Sequence, residues 1–462
     1  MHGSIKHSTV RDEASASTGG GGQNERHPPA APKSKLGVIF LTVFLDLVGF
    51  SIIFPLFPEM LEWYFALEGA DSLLGQLLDI LRQASGAAGE KREIYTAALF
   101  GGVLGSLYAV LQFIFAPIWG KISDQAGRRR ILLITVGGTF FSYVLWFFSG
   151  SFILLIGARI IGGLMSGNIS VASAAVADVT TKENRAKGMG MLGAAFGLGF
   201  IIGPAMGGIL AQFDLTKTAL GQLPGVNPFS MPALIAAILS ITNLLWIYFR
   251  FNETSTAENR AKAEGRPHNP LVLLKPSDID GVNRLNLVFF VYTLAFTGME
   301  FTLTFLARDR FSYTPIQNAY LFVYVGFIIV LIQGGVVRRV APKYGERNVS
   351  LCGLVLLFPG LVLIGRCETE SMLYMGLGLL SVGSALINPS LSALVSLYSP
   401  TERQGEVLGI FRSLGSLARA IGPIVACTAY WKMGAEWPYF GAALLMIFPF
   451  FMAFSLKPAK MD

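Results

Sequence analysis

Twelve apolar runs of bilayer-spanning length constrain this chain more than any other feature. They fall near 37–57, 94–118, 131–149, 152–178, 188–211, 231–250, 285–307, 316–337, 349–366, 373–397, 406–430 and 437–456. About 20 helical residues cross a bilayer, and backbone groups in hydrocarbon must bond within their own segment, which makes each run a helix. The expected fold class is therefore an all-α polytopic membrane protein with twelve transmembrane helices. Composition agrees, since 53% of the 462 residues are hydrophobic and 14% are charged, against about 25% charged in soluble chains. No water-facing surface remains for a globular enzyme, and no nucleophile, base and oxyanion site converge.

An even number of spans puts both termini on one side, and charge says which. The connections after spans two, four and eight read KISDQAGRRR, TKENRAK and RRVAPKYGERN. The loop 58–93 has seven acidic and three basic residues. The positive-inside rule makes both termini cytoplasmic. The net charge of +7 then belongs to membrane topology, and nucleic acid is not an expected partner. Sequons at Asn168, Asn252 and Asn348 fall in a helix or on cytoplasmic loops and are expected to stay unmodified. Part of loop 58–93, LLGQLLDILRQ, is amphipathic and reads as a helix on the far side.

The polar N-terminus reads as a disordered cytoplasmic tail, 1–36, with no signal peptide. Its glycine run lacks the strand and GK[ST] of a phosphate loop. Three cysteines in apolar settings make no disulfide framework. The four histidines lie outside the apolar runs, so no metal or other cofactor is expected. The polar stretch 251–284 reads as a cytoplasmic linker between six-helix halves at 37–250 and 285–456, with a short tail at 457–462. An offset of 219 residues aligns the halves weakly: Glu183 meets Glu402, Gly190 meets Gly409, and Ile202-Gly203-Pro204 meets Ile421-Gly422-Pro423. That order is what a duplicated transporter gives.

Motifs sharpen the reading. Between spans two and three, Gly120, Asp124, Gly127, Arg128 and Arg129 fit G-x-x-x-D-x-x-G-R-R. The glycines permit a tight reversal, and the acid and arginines can form a breakable latch at the membrane face. Span five carries Gly199, Gly203, Pro204 and Gly207, a flat and bent helix stripe that a neighbour can approach closely. Span four holds Arg159 before Gly162-Gly163. Span one holds Asp46, Gly49, Pro55 and Pro58.

Together these motifs resemble the major facilitator superfamily, in particular its drug/proton antiporters of the tetracycline-resistance type. The stretches GNISVASAAVADV, GMEFTLTFL and FRSLGSLARAIGPIVA are similar to an animal tetracycline transporter-like branch. The resemblance covers most of 37–456. It implies helices around a central cavity that opens alternately to each side. It also implies proton-coupled export in the tetracycline relatives, and organic anion transport at the cell membrane or inner nuclear membrane in the animal branch. The loop after span eight departs from the pattern, with Arg339 where an acid would sit, so the latch is expected to be strongest in the N-terminal half.

Charges inside spans cost roughly 2.5–3.5 kcal/mol each on insertion scales and usually face a cavity or a partner. Five lie well inside: Asp46, Arg159, Glu300, Arg412 and Arg419. Asp178 and Arg308 sit at helix ends and read as solvated. Arg412 and Arg419 are two turns, or about 10 Å, apart on one face, which cannot be a lipid face. Glu300 and Arg419 share a depth that permits a salt bridge. Either the arginines hold the bundle together, matched by carboxylates and carbonyls, or Arg412, with Arg419, receives an anionic substrate. Gln112, Asn168, Tyr292, Gln333 and Asn388 are further candidates to line the cavity. Desolvation raises a carboxylate's pKa and a nearby arginine lowers it, making Glu300 and Asp46 candidates for proton coupling. The expectation is a monomeric secondary transporter of organic anions or amphipathic drugs, with protons as the coupling ion. An organic cation exporter and a non-transporting receptor are the alternatives.

Overall fold

The computed structural model describes residues 33–84, 90–180, 185–256, 276–400 and 404–456. The expected tails therefore lie almost wholly outside the described residues, as does 257–275 of the expected linker. The described residues belong to one compact unit. Among the described residues there are helices and no strands, and twelve segments are long and apolar enough to cross a bilayer.

In chain order the helices are α1 (Lys33–Ser51), α2 (Phe57–Glu68), α3 (Leu73–Ala84), α4 (Glu90–Ala126), α5 (Arg128–Phe147), α6 (Phe152–Met165), α7 (Asn168–Val179), α8 (Arg185–Leu210) and α9 (Ser230–Arg250). There follow α10 (Val282–Phe311), α11 (Pro315–Leu331), α12 (Arg338–Tyr344), α13 (Glu346–Gly365), α14 (Glu370–Tyr398), α15 (Gln404–Met433) and α16 (Trp437–Phe454).

Several boundaries differ from the hydropathy reading, each for a local reason. Helix α1 starts at Lys33, inside the segment read as tail. The first span continues through a tight turn at Phe54–Leu56 into α2, where Pro55 and Pro58 sit at first-turn positions that need no amide donor. The amphipathic stretch of loop 58–93 is helical as α3. Helix α4 runs on through KISDQA, so a single residue, Gly127 at φ 96°, turns the chain into α5. Only glycine adopts that backbone without strain. Span four is broken into α6 and α7 at Ser166-Gly167. There Trp119 packs where a side chain on Gly167 would stand, and its indole N–H donates to the freed carbonyl of Leu164 at 2.7 Å. Span eight ends in a widened helical turn, Ile332–Val337, that carries Gln333.

Glycine sets the closest helix crossings. A Cβ on Gly199 would lie 2.5 Å from that of Leu47, while Gly203 and Gly207 abut Ser51 and the Ile52 carbonyl of α1 and its extension. Ser51 donates to the Gly199 carbonyl at 3.0 Å across this seam. Gly208 meets Pro315 and Ala319 of α11, so α8 is gripped from two sides. Gly353 meets Gly383, and Gly360 meets Gly376, where α13 crosses α14. Such crossings suit bilayers, where close backbone packing rather than a hydrophobic drive holds helices together. Contacts between early and late helices run chiefly through α4 on α15 and α8 on α11.

Candidate functional site

Between these seams lies a cavity of about 280 Å³, lined by α4, α7, α8, α10, α11, α14 and α15. Its wall is mostly apolar, with phenylalanines from four of these helices, including Phe113, Phe196, Phe296 and Phe322. Pockets for organic ligands have this make-up, an apolar wall with a few converging polar groups.

Of the sequence candidates, Gln112, Tyr292, Gln333, Asn388, Arg412, Arg419 and Glu300 all line it. The two arginines project from one face of α15, as their two-turn spacing requires. Arg412 is half-buried, and its Nη2 donates to Ser392 Oγ over a long 3.4 Å. No carboxylate pairs with it among the described residues. Arg419 is held more firmly. Its Nη2 donates to Ser416 Oγ at 3.2 Å, and its guanidinium lies over the Phe196 ring, 4.9 Å from the centroid. A cation over an aromatic face gains electrostatic stabilisation where water is scarce. Glu300 is buried and feels the charge of Arg419, but the salt bridge that their shared depth permits is not closed. Tyr292 hydrogen-bonds Ser384 at 2.5 Å, tying α10 to α14 at the wall.

Asn168 and Asp46 do not line this cavity. Asn168 begins α7 just after the span-four break, which turns its side chain toward α1 and α5. Its amide donates to Asp46 Oδ1 at 2.9 Å, and its carbonyl oxygen accepts from Thr135. Both residues are buried. Arg159 is also buried, but it is matched by rings rather than carboxylates. Tyr108 lies 4.6 Å and Phe50 5.6 Å from its guanidinium carbon, and its Nε and Nη2 have no hydrogen-bond partner.

The loop motif forms a compact ionic cluster. Arg128 pairs with Asp124 at 2.5 Å and with Asp178 at 3.1 Å, and donates to Ser123 at 2.6 Å. Asp178 is thus a partner, not a solvated helix end. Glu253 completes the cluster by accepting from the amides of Arg128 and Arg129 at 2.9 and 3.1 Å. A carboxylate there satisfies two orphan donors of α5 and meets the positive end of its dipole. Sequence reasoning missed Glu253, because it stands outside the motif by more than a hundred residues. Gly120 leaves room for Ser170 of α7.

At the other membrane face, Arg308 is likewise paired rather than solvated. It bonds Glu59 at 2.9 Å and Glu62 at 2.6 Å, joining the end of α10 to α2. Arg310 reaches Glu436 at 3.1 Å and the Cys367 carbonyl at 2.7 Å. Just beneath, Phe301 packs on Phe54 with centroids 4.6 Å apart, and on Phe57 at 5.9 Å. Charge pairs and aromatic rings therefore close the acidic-loop side. On the basic side the lining continues to Leu408 and Gly409, near the start of α15.

Comparison with known proteins follows the same outline. The model of the Major Facilitator Superfamily matches residues 39–423 and 336–461. Major facilitator superfamily domain-containing protein 10 of Mus musculus is 34% identical over 458 residues, covering 94% of this chain and 96% of that protein. The Homo sapiens protein of the same name is 35% identical over 468 residues, covering 96% and 98%. The class B tetracycline resistance protein of Escherichia coli is 27% identical over 402 residues, covering 86% and 88%. Among solved structures, the human organic anion transporter TETRAN superposes with a TM-score of 0.72 at 34% identity, covering 92% of this chain and 100% of that one.

Proposed function

The chain belongs to the major facilitator superfamily of membrane carriers, and on that premise we propose that it moves organic anions or amphipathic drug-like molecules by alternating access, coupled to protons. It is a multi-pass membrane protein and a carrier rather than an enzyme. The observation that carries the anion reading is Arg412, a cavity-lining cation with no carboxylate partner among the described residues. Guanidinium keeps its charge in almost any surroundings, and a half-buried charge without a counter-ion bears part of the cost of a buried one. A negatively charged guest removes that cost. The similarity to a transporter described as one of organic anions supports the same reading.

In this reading Arg412 receives the anion, and Arg419 adds attraction from deeper in the cavity. Gln112, Tyr292, Gln333 and Asn388 orient the guest through hydrogen bonds. Glu300 carries the coupling proton: substrate drawing on Arg419 leaves Glu300 without its electrostatic support, so it takes up a proton. Asp46, tied to Asn168, is a second proton site remote from the guest. The Arg128 cluster latches the basic face, which we assign to the cytoplasm together with both termini. The halves 37–250 and 285–456 rock about the α4–α15 and α8–α11 seams, within a monomer. The cell membrane or inner nuclear membrane is the assigned location.

The experiment is uptake into proteoliposomes of p-aminohippurate, an organic anion, with other anions and with tetraethylammonium as competitors. Anions compete and the cation does not. Arg412→Gln raises KM for p-aminohippurate by about tenfold or more, the loss of roughly 1.4 kcal/mol or more of a charge-assisted contact. Inhibition by tetraethylammonium with indifference to anions returns the protein to the organic-cation reading. For the proton, Glu300→Gln abolishes the dependence of uptake on a pH gradient while exchange at equal pH persists. Unchanged coupling in that variant removes Glu300 from the role.

A further inference from the structure

Arg412 is loosely hydrogen-bonded, yet it lines the cavity in one place, and something must seat it there. The atoms nearest to a Cβ built on Gly193 are all its guanidinium: Nη2 at 2.7 Å, and Cζ and Nη1 at 3.4 Å. Gly193 lies on α8, which faces α15 across the cavity, and both residues line it. One turn along the same helix, Gly197 has nothing within 4 Å of such a Cβ, so the close approach is specific to position 193. The two positions also correspond in the sequence: 193 plus the offset of 219 is 412. Where one copy of the repeat carries a cation, the other carries the space for it.

We infer that Gly193 is a positioning residue for Arg412, its missing side chain being the seat that keeps the guanidinium turned into the cavity for an anion. The inference rests on the anion reading above and adds a residue that acts through the arginine. Arg419 does not need such a seat, since Ser416 and the Phe196 ring hold it. Among the described residues Arg412 has the long bond to Ser392 and a distant ring contact, Phe411 at 5.7 Å, so steric room has more say in where its charge lies. A methyl at 193 meets Nη2 at 2.7 Å where ordinary contact begins at 3.4 Å, and forces the guanidinium back by 3.4 − 2.7 = 0.7 Å. The displaced atoms end a flexible side chain, and alanine suits a helix better than glycine. Gly193→Ala therefore folds, and its effect is read at the arginine.

The test uses the full-length protein in proteoliposomes with p-aminohippurate as the probe. Gly193→Ala raises KM about threefold to tenfold and leaves kcat within about twofold, the signature of weakened binding without a damaged cycle. In an Arg412→Gln background the same substitution adds nothing, because it acts through the arginine. Gly137→Ala, on α5, away from the cavity and with open space around it, leaves both constants unchanged. If Arg412→Gln weakens uptake but Gly193→Ala leaves KM alone, or lowers kcat instead, the seat is disproved and the anion reading stands. If Arg412→Gln itself has no effect on KM, the anion reading falls and the seat falls with it.

Discussion

At the residue scale, the protein holds its intramembrane charges in three different ways. Arg159 lies against the rings of Tyr108 and Phe50, Asp46 is solvated by an amide, and Arg412 is left open to the cavity. Each answers the same physical demand, since a charge in hydrocarbon must find a dipole, a ring or water. The Asp46–Asn168–Thr135 chain is the most exacting of these, because every member is buried and joins three helices. Asn168→Ala leaves the buried Asp46 carboxylate without its amide donor, while Thr135 keeps its bond to the Ile131 carbonyl. It is expected to lower stability by about 1–3 kcal/mol, read as a lower SDS or thermal unfolding midpoint, while KM for a cavity-bound anion stays near wild type. A large change in KM with unaltered stability would put Asn168 back in the cavity wall. Spacing alone could not separate Asn168 from Asn388. Both sit in the middle of apolar spans, and the direction of one is set by a helix break at Gly167 that hydropathy does not register.

At the element scale, the motif residues gather where regular helix is interrupted or where two helices touch backbone to backbone. Gly127 turns α4 into α5, and the cluster of Arg128, Asp124, Asp178 and Glu253 fastens that turn to α7 and to the segment after α9. Arg128 is buried, whereas Asp124 has 45% of its side chain exposed. Arg128→Ala therefore costs about 1–3 kcal/mol, less than a fully buried pair, since water screens one partner. On the proposed latch role it is expected to slow transport at unchanged KM, since the cluster lies outside the cavity lining. Glu253→Ala should reproduce a milder form by uncapping α5, with a loss of about 1 kcal/mol. Equal transport rates in wild type and Arg128→Ala would reduce the cluster to a topological anchor. The loop motif was legible in the sequence because its members are contiguous. Its remaining partners, Asp178 and Glu253, were not, since folding brings them from other elements.

At the scale of the whole molecule, the cavity is closed on one side and continues toward the other. The closure joins α2 to the end of α10, elements on opposite sides of the central segment, through Arg308 and the glutamates at 59 and 62, above the contact of Phe301 with Phe54 and Phe57. Alternating access requires these contacts to break when the other face closes. Arg308→Glu places three like charges together and is expected to shift the population toward opening on the acidic-loop side. Cysteine accessibility at the face of Phe54 reports it, with labelling several-fold faster in the variant. The paired exchange Arg308→Glu with Glu59→Arg restores slow labelling, which simple damage to the fold would not do. Identical labelling of all three proteins would show that the rings alone seal this face.

The sequence by itself determined the twelve helical spans and the family. Those depend on local quantities: apolar length matched to bilayer thickness, and motifs whose residues are neighbours in the chain. It also determined that Arg412 and Arg419 share a helix face, because helical period fixes that without reference to partners. Only the tertiary structure decided what each buried charge meets. It turned Asn168 away from the cavity, paired Asp178 and Arg308, kept Glu300 and Arg419 from closing a salt bridge, and set Gly193 against Arg412. The reason is physical. A side chain's electrostatic partner is chosen by helix rotation and crossing, which are fixed by packing between residues hundreds of positions apart.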